Sequence, residues 1–297
     1  MSKRCIVYFD RFFRVFWNII LIVYCISLLI PIVWMIFTAS KSYSEYYENT
    51  FLWPNRWVFT NFKTAIQKLK IEVINGKQII TYGIWDMAVI SIVYAVGKSL
   101  VCLLLHVVCA FVISRFNKYS FCRFLYLLGI FVMVTPIIGS SVSAMVVKKA
   151  LGIYDNLLLT ILTSCACAFS GFYFILLYGA VKSVPKSYDE AASIDGAGYF
   201  TILFKIVLPI ILPVCTVSFV LSFLTNWNDY GTFLIWLPSW PNLSYGIYKF
   251  QNDASLYTAT INEVMAGFAM IMIPTMFLYL SCNRLITSKF SVGGLKG

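Results

Sequence analysis

The sequence predicts an all-α, polytopic membrane protein, on three observations. Hydrophobic residues make up 60% of the 297-residue chain and charged residues only 12%, where a soluble domain carries about 25% charged residues. The mean hydropathy of +0.82 requires most residues to face something other than water. Six apolar stretches, 15–38, 86–113, 121–147, 157–181, 206–226 and 264–286, reach the roughly 20 residues that a helix needs to cross a bilayer. Disorder, a secreted disulfide scaffold and nucleic-acid binding are excluded as primary readings. The net charge of +11 becomes a question of which side of the membrane each charge occupies.

Taken in order, residues 1–14 form an N-terminus that carries Lys3, Arg4, Arg11 and Arg14. The apolar run that follows, Val15 to Thr38, exceeds a signal-peptide core and reads as a retained first span. A long first outer loop, 39–85, is unusually basic and contains an insert around Ile71 to Tyr82. The second span holds Lys98 and His106, and Arg115, Lys118 and Arg123 follow it. The third span is interrupted by Pro136 and the sixth by Pro274, which neighbouring groups in a membrane can accommodate. In the fourth, Leu157 to Ile161 lacks the polar–apolar alternation of a barrel strand. An inner loop (182–205), the fifth span, an aromatic outer loop (227–263) and the sixth span complete a permease domain over 15–286, and a tail (287–297) follows. The basic bias of the ends and inner loops places both termini in the cytoplasm, against the pull of the basic first outer loop.

The nine cysteines all fall in spans or inner segments, with no C-x-x-C pair, and read as small buried hydrophobes. An intramembrane cation faces the bundle interior or a water path more often than lipid, so Lys98 is a pathway or ion-pair candidate. His106 reads as a hydrogen-bonded core histidine. Gly97-Lys98-Ser99 mimics the end of a P-loop, but Ile92 stands where its first glycine is required. The chain thus reads as a transport subunit without its own ATPase motif, not as an enzyme. No catalytic residue, metal site or cofactor is expected.

The most informative segment is the third inner loop. Ser187 stands three residues before Glu190, the spacing of a capping box, which predicts a helix starting at Tyr188. Ala191, Ala192 and Ile194 continue it, Gly196 supplies a left-handed stop, Gly198 loosens the chain, and a second helix resumes near Tyr199. The two alanines give the short helix a low profile that a cytoplasmic partner can approach, flanked by Asp189, Glu190 and Asp195. The alternative is a connector lying on the membrane surface; its balanced charges make it a poor binder of anionic lipid.

Glu190-Ala191-Ala192, Gly196, Ile206 and Leu208-Pro209 together resemble the EAA loop of permease subunits of bacterial ABC importers, in particular the smaller permease of the maltose type. Ser183-Val-Pro-Lys, Ile194-Asp-Gly-Ala, Trp227-Asn228-Asp229, Met265-Ala266-Gly267, Phe59-Thr60-Asn61-Phe62 and the closing Gly293-Gly-Leu-Lys-Gly297 match in the same order. The resemblance implies the type I importer permease fold in a bacterial cytoplasmic membrane. It implies a carbohydrate substrate delivered by an extracytoplasmic solute-binding protein, a second, non-identical permease subunit and two ATPase subunits. Tyr188, Asp189, Glu190, Ala191, Ala192, Ile194, Asp195, Gly196 and Gly198 would couple to the ATPases. Gly293, Gly294, Leu295, Lys296 and Gly297 would form a second ATPase contact. Asn228 and Asp229 join Lys98 as pathway candidates, and Trp236, Trp240 and Tyr245 are candidates for contact with the binding protein or sugar. The rival class is an ion-coupled secondary transporter, which should show broken helices and usually buried carboxylates.

Overall fold

The computed structural model describes residues 3–75, 78–135, 141–165, 168–253 and 259–290, without the side chains of 3–10, 12, 75, 141, 253 and 284–290. Gly293, Gly294, Leu295, Lys296 and Gly297, with Pro136, Cys167 and Tyr257, lie outside the described residues. The elements in chain order are α1 (Lys3–Ala39), α2 (Tyr43–Glu48), α3 (Thr60–Lys68), β1 (Ile71–Asn75), β2 (Gln78–Tyr82) and α4 (Ile84–Arg115). Then come α5 (Ser120–Val134), α6 (Ser141–Ala150), α7 (Leu157–Leu162), α8 (Phe172–Ser183), α9 (Lys186–Ile194) and α10 (Tyr199–Thr201). A π-helical segment (Ile202–Val207) leads into α11 (Leu208–Trp227), followed by α12 (Gly231–Ile235), α13 (Leu243–Asp253) and α14 (Ile261–Phe290).

Four of the six predicted spans are continuous apolar helices: Phe13–Ala39, Ile84–Arg115, Tyr199–Trp227 and Ile261–Asn283. The stretches 121–147 and 157–181 are not single helices, which corrects the expectation for them. α5 stops at Val134, and its C-cap Thr135 is extended (φ −82°, ψ 113°), the conformation that the ring of a following proline imposes on its neighbour. The fourth stretch breaks between α7 and α8, where Thr163 and Ser164 turn their hydroxyls onto carbonyls of the preceding turn. Gly171 then restarts the chain at φ +96°, where a side chain would be strained. Pro31, Pro213 and Pro274 all lie inside continuous helices, so a proline alone does not decide where a span breaks.

The chain forms two compact units, Met1–Leu69 with Lys249–Met272, and Lys70–Tyr248 with Ile273–Gly297. In the first, Ala39, Ala65 and Ala266 are fully buried, with Phe62, Met265 and Met270 packed against them. The end of α1 leaves carbonyls without helical partners, and two asparagines supply them. Asn61 Nδ2 donates to the Ala39 and Lys41 carbonyls at 2.8 and 2.7 Å. Asn262 Nδ2 donates to Thr38 and Lys41 at 2.8 and 3.2 Å. The Phe59-Thr-Asn-Phe62 signature therefore has a structural reason. Lys68 closes this unit with an ion pair to Glu263 at 2.9 Å. Asn61→Ala should destabilise the protein by about 2 kcal/mol, because the buried Ala39 carbonyl loses its side-chain donor while Lys41 keeps the longer bond from Asn262. The check is a lower Tm in detergent, with Lys63→Ala, on an exposed position of the same helix, leaving it unchanged.

In the second unit α4, α8 and α11 pack on one another around Val107, Phe111, Phe174, Leu177, Val207 and Ile211. Gly129 of α5 admits a close backbone approach: a Cβ there would stand 2.1 Å from the Phe169 carbonyl oxygen. The predicted insert is an antiparallel hairpin, pairing Ile71 with Tyr82 and Ile74 with Ile79.

Candidate functional site

The helix of the third inner loop begins at Lys186, two residues earlier than expected, and Pro185 (φ −57°) takes the N-cap position without a side-chain cap bond. The Ser187–Glu190 capping box is therefore not used, because Pro185 already fixes the entry angle and Ser187 lies inside the helix. The far end forms as predicted. Gly196 has φ +83°, and the Ala197 N–H returns to the Ala192 carbonyl at 2.9 Å, a six-to-one bond of the kind that closes helices. Gly198 opens the next turn as its N-cap.

Arg115, the last residue of α4, ties this short helix to the spans. Its Nε lies 2.6 Å from Asp189 Oδ2, one terminal nitrogen donates to Oδ1 at 3.3 Å and the other to the Val184 carbonyl at 3.0 Å. Burial pushes the Asp189 carboxyl above its ordinary range, and the Arg115 guanidinium pulls it partly back. The sequence reading counted Arg115 only as an inner-loop charge. A basic residue in the last turn of a span, facing an acidic loop, was the available signal.

Asp189 and Ala192 face inward, the latter against the core between α4, α8 and α11. Glu190, Ala191 and Asp195 are exposed. So are Tyr188, Ile194, Tyr199 and Phe200, with Ile194 86% exposed and Phe200 78%. Four large apolar side chains around one short helix make a surface fit for a protein partner. The π-helical segment connects it to α11. Its bond from the Leu208 N–H to the Leu203 carbonyl skips one residue. That widening gives the ring of Pro209 room where a regular helix would drive it into the Lys205 carbonyl.

A second cluster joins two of the pathway candidates. Lys98 Nζ lies 3.6 Å from Asp229 Oδ2 and donates to Tyr94 Oη at 2.7 Å, which itself donates to Asp229 Oδ2 at 3.0 Å. Thr232 adds its N–H at 2.9 Å and its hydroxyl at 2.6 Å to the same carboxylate. Tyr94 is fully buried against Phe233, Leu237, Ile90 and Ile161. Asn228, the third candidate, is not part of the cluster; it is exposed and caps its own helix through the Leu224 carbonyl at 2.9 Å.

The aromatic candidates are held by structural contacts. Lys148 lies over the Trp236 ring at 4.1 Å, the Trp240 indole N–H donates to the Asp155 carbonyl at 3.2 Å, and Tyr245 packs on the cluster around Tyr94. Tyr230 stacks on Tyr248 with centroids 4.5 Å apart. Within the helices, Asn226 donates to Ser99 at 3.0 Å and Ser222 at 3.3 Å, a buried polar link between α11 and α4 that sequence reasoning missed. His106 is buried and meets Cys165 Sγ at 3.5 Å.

Residues 106–292, more than half of the chain, match the family described as binding-protein-dependent transport system inner membrane component. Among curated proteins, the diacetylchitobiose uptake system permease protein NgcG of Streptomyces coelicolor is 25% identical over 96% of this chain and 89% of its own length. The probable starch degradation products transport system permease protein AmyC of Thermoanaerobacterium thermosulfurigenes is 28% identical over 98% of both chains. Among solved structures, a chain of a bacterial ABC transporter involved in the import of the acidic polysaccharide alginate has a TM-score of 0.75 at 22% identity, covering 97% of this chain and 99% of that one. The likeness in fold extends over nearly the whole chain.

Proposed function

The chain belongs to the binding-protein-dependent transport system inner membrane component family, and from that premise we propose that it is a permease subunit of an ABC importer for a sugar or oligosaccharide. The named functions of its relatives support a carbohydrate substrate. An extracytoplasmic binding protein delivers the sugar. A second, non-identical permease completes the pathway, and two separate ATPases supply the energy, since Gly97-Lys98-Ser99 lies within a helix and not in a phosphate-binding loop. Both termini lie in the cytoplasm, the α9 loop faces the ATPases, and the tail Gly293–Gly297 makes a second contact with them.

The observation that carries this reading is the exposed face of α9 backed by a buried ion pair to α4. A docked ATPase that closes on ATP moves α9; Arg115 passes the displacement to α4 and the π-helical segment passes it to α11. Those two helices lead to Lys98 and Asp229. Arg115 and Lys98 stand about 25 Å apart on one helix, so a push at one is a shift at the other. The interrupted spans do not favour an ion-coupled transporter, because the fold of the importer relative matches over the same residues.

Gly196→Val in proteoliposomes holding the whole importer tests the coupling role. A Cβ at residue 196 meets nothing within 4 Å, and only the positive φ opposes it, which costs a β-branched residue about 2 kcal/mol or more. Assembly and ATP hydrolysis should persist while maltooligosaccharide uptake, used as the probe, falls about tenfold or more. Wild-type uptake by the variant would remove α9 from the coupling path.

A further inference from the structure

The loop after α1 carries an apolar surface that sugar import does not account for. Phe51, Leu52, Trp53, Trp57 and Phe59 turn outward, Phe51 being 81% exposed and Phe59 65%. The backbone beneath them is pinned. Pro54 is buried, the Val58 N–H donates to the Ser40 carbonyl at 2.7 Å, and the Asn55 N–H donates to the buried Glu45 carboxylate. Lys41, fully buried, holds the Asn49 and Thr50 carbonyls at 2.6 and 3.3 Å. Polar contacts thus hold the apolar side chains outward, where water would penalise them.

Their depth follows from α1. Its last cation before the apolar run is Arg14, and no residue of its 27-residue apolar stretch is buried within the most hydrophobic window. A hydrocarbon layer of about 30 Å takes up roughly 20 helical residues, which carries the helix from Val15 to Trp34. Trp34 and Phe37 therefore stand at the boundary between hydrocarbon and headgroups. Phe51 lies 6.3 Å from Trp34, and Trp53 lies 4.8 Å from Phe37, ring centre to ring centre, so the segment sits at the same level and continues the lipid-facing surface of α1. Tryptophan is favoured at that level, and exposed Arg56 supplies a cation for lipid phosphate.

We propose that residues 51–59 form a rigid wedge seated in the headgroup layer at the C-terminal end of α1, with membrane lipid as its occupant. The wedge fixes the depth of α1 and keeps this part of the loop out of the aqueous space.

Spin labels at Phe51→Cys and, separately, Trp53→Cys test this in an otherwise cysteine-free chain, within the assembled importer in phospholipid nanodiscs. Both labels should show several-fold higher collision with oxygen, relative to a water-soluble nickel chelate, than a label at Glu72→Cys on the exposed face of β1. Two sites guard against one substitution disturbing the loop. Nickel access at 51 and 53 equal to that at 72 would overturn the proposal. So would protection from nickel that arises only on adding the binding protein, which would assign the surface to a protein partner.

Discussion

Arg115→Met should uncouple the transporter. The substitution leaves Asp189 facing the protein without its cation, and breaking a buried pair of this kind costs roughly 3 kcal/mol, the low end of the usual range because Asp189 keeps some exposure. The Arg115 guanidinium holds both Asp189 and the Val184 carbonyl, so α9 loses its only described ion pair to α4. The expected result is ATP hydrolysis that no longer responds to sugar-loaded binding protein, with uptake reduced about tenfold or more. Arg115→Met combined with Asp189→Asn removes the stranded charge and should recover assembly but not uptake. Equal uptake by the single variant and the wild type would show that α9 transmits nothing through this pair.

Asp229→Asn should be more damaging than Lys98→Met, although each removes one partner of the same ion pair. Asp229 without Lys98 still accepts from Tyr94 and from the N–H and hydroxyl of Thr232. Lys98 without the carboxylate keeps only the Tyr94 hydroxyl and a position over its ring at 4.9 Å. An unpaired cation inside a span is expensive. Asp229→Asn should therefore lower both the amount of assembled protein and sugar uptake, by about tenfold in uptake; Lys98→Met should lower uptake less. The combined variant should regain assembly. Quantifying assembled complex and uptake for the three variants checks the order, and a reversed order would mean that the lysine is supported by something other than this cluster.

Much of this fold is legible from composition and period alone, because a bilayer demands long apolar helices and forbids most alternatives. The break in the fourth stretch was not, since Thr163, Ser164 and Gly171 are residues that many intact membrane helices also contain, whereas Pro136 marks the break in the third. What decides there is tertiary: the Phe169 carbonyl set against Gly129, and the Ser170 hydroxyl donating to the Gly129 carbonyl at 3.0 Å. The candidate sites divide in the same way. Gly196 was readable because its conformation is a local property. Lys98 and Asp229 were readable singly, but no periodicity links residues so far apart in sequence. The pairing of Arg115 with Asp189 was hidden for the same reason. The Ser187–Glu190 spacing misled because a proline two residues earlier had already settled where the helix begins.

The division of labour on α9 has a consequence for how such a subunit changes its associates. Its anchoring is confined to Asp189 and Ala192, and no residue of the helix is buried. Tyr188 and Ile194 can therefore be exchanged without disturbing the packing of α4, α8 and α11. If α9 docks the ATPases as proposed, the subunit is modular at this surface: its choice of ATPase can drift by substitution at outward positions while the contacts of Asp189 and Ala192 stay constant. An importer built on this plan can share one ATPase among several permeases, or trade one ATPase for another, without rebuilding its membrane domain.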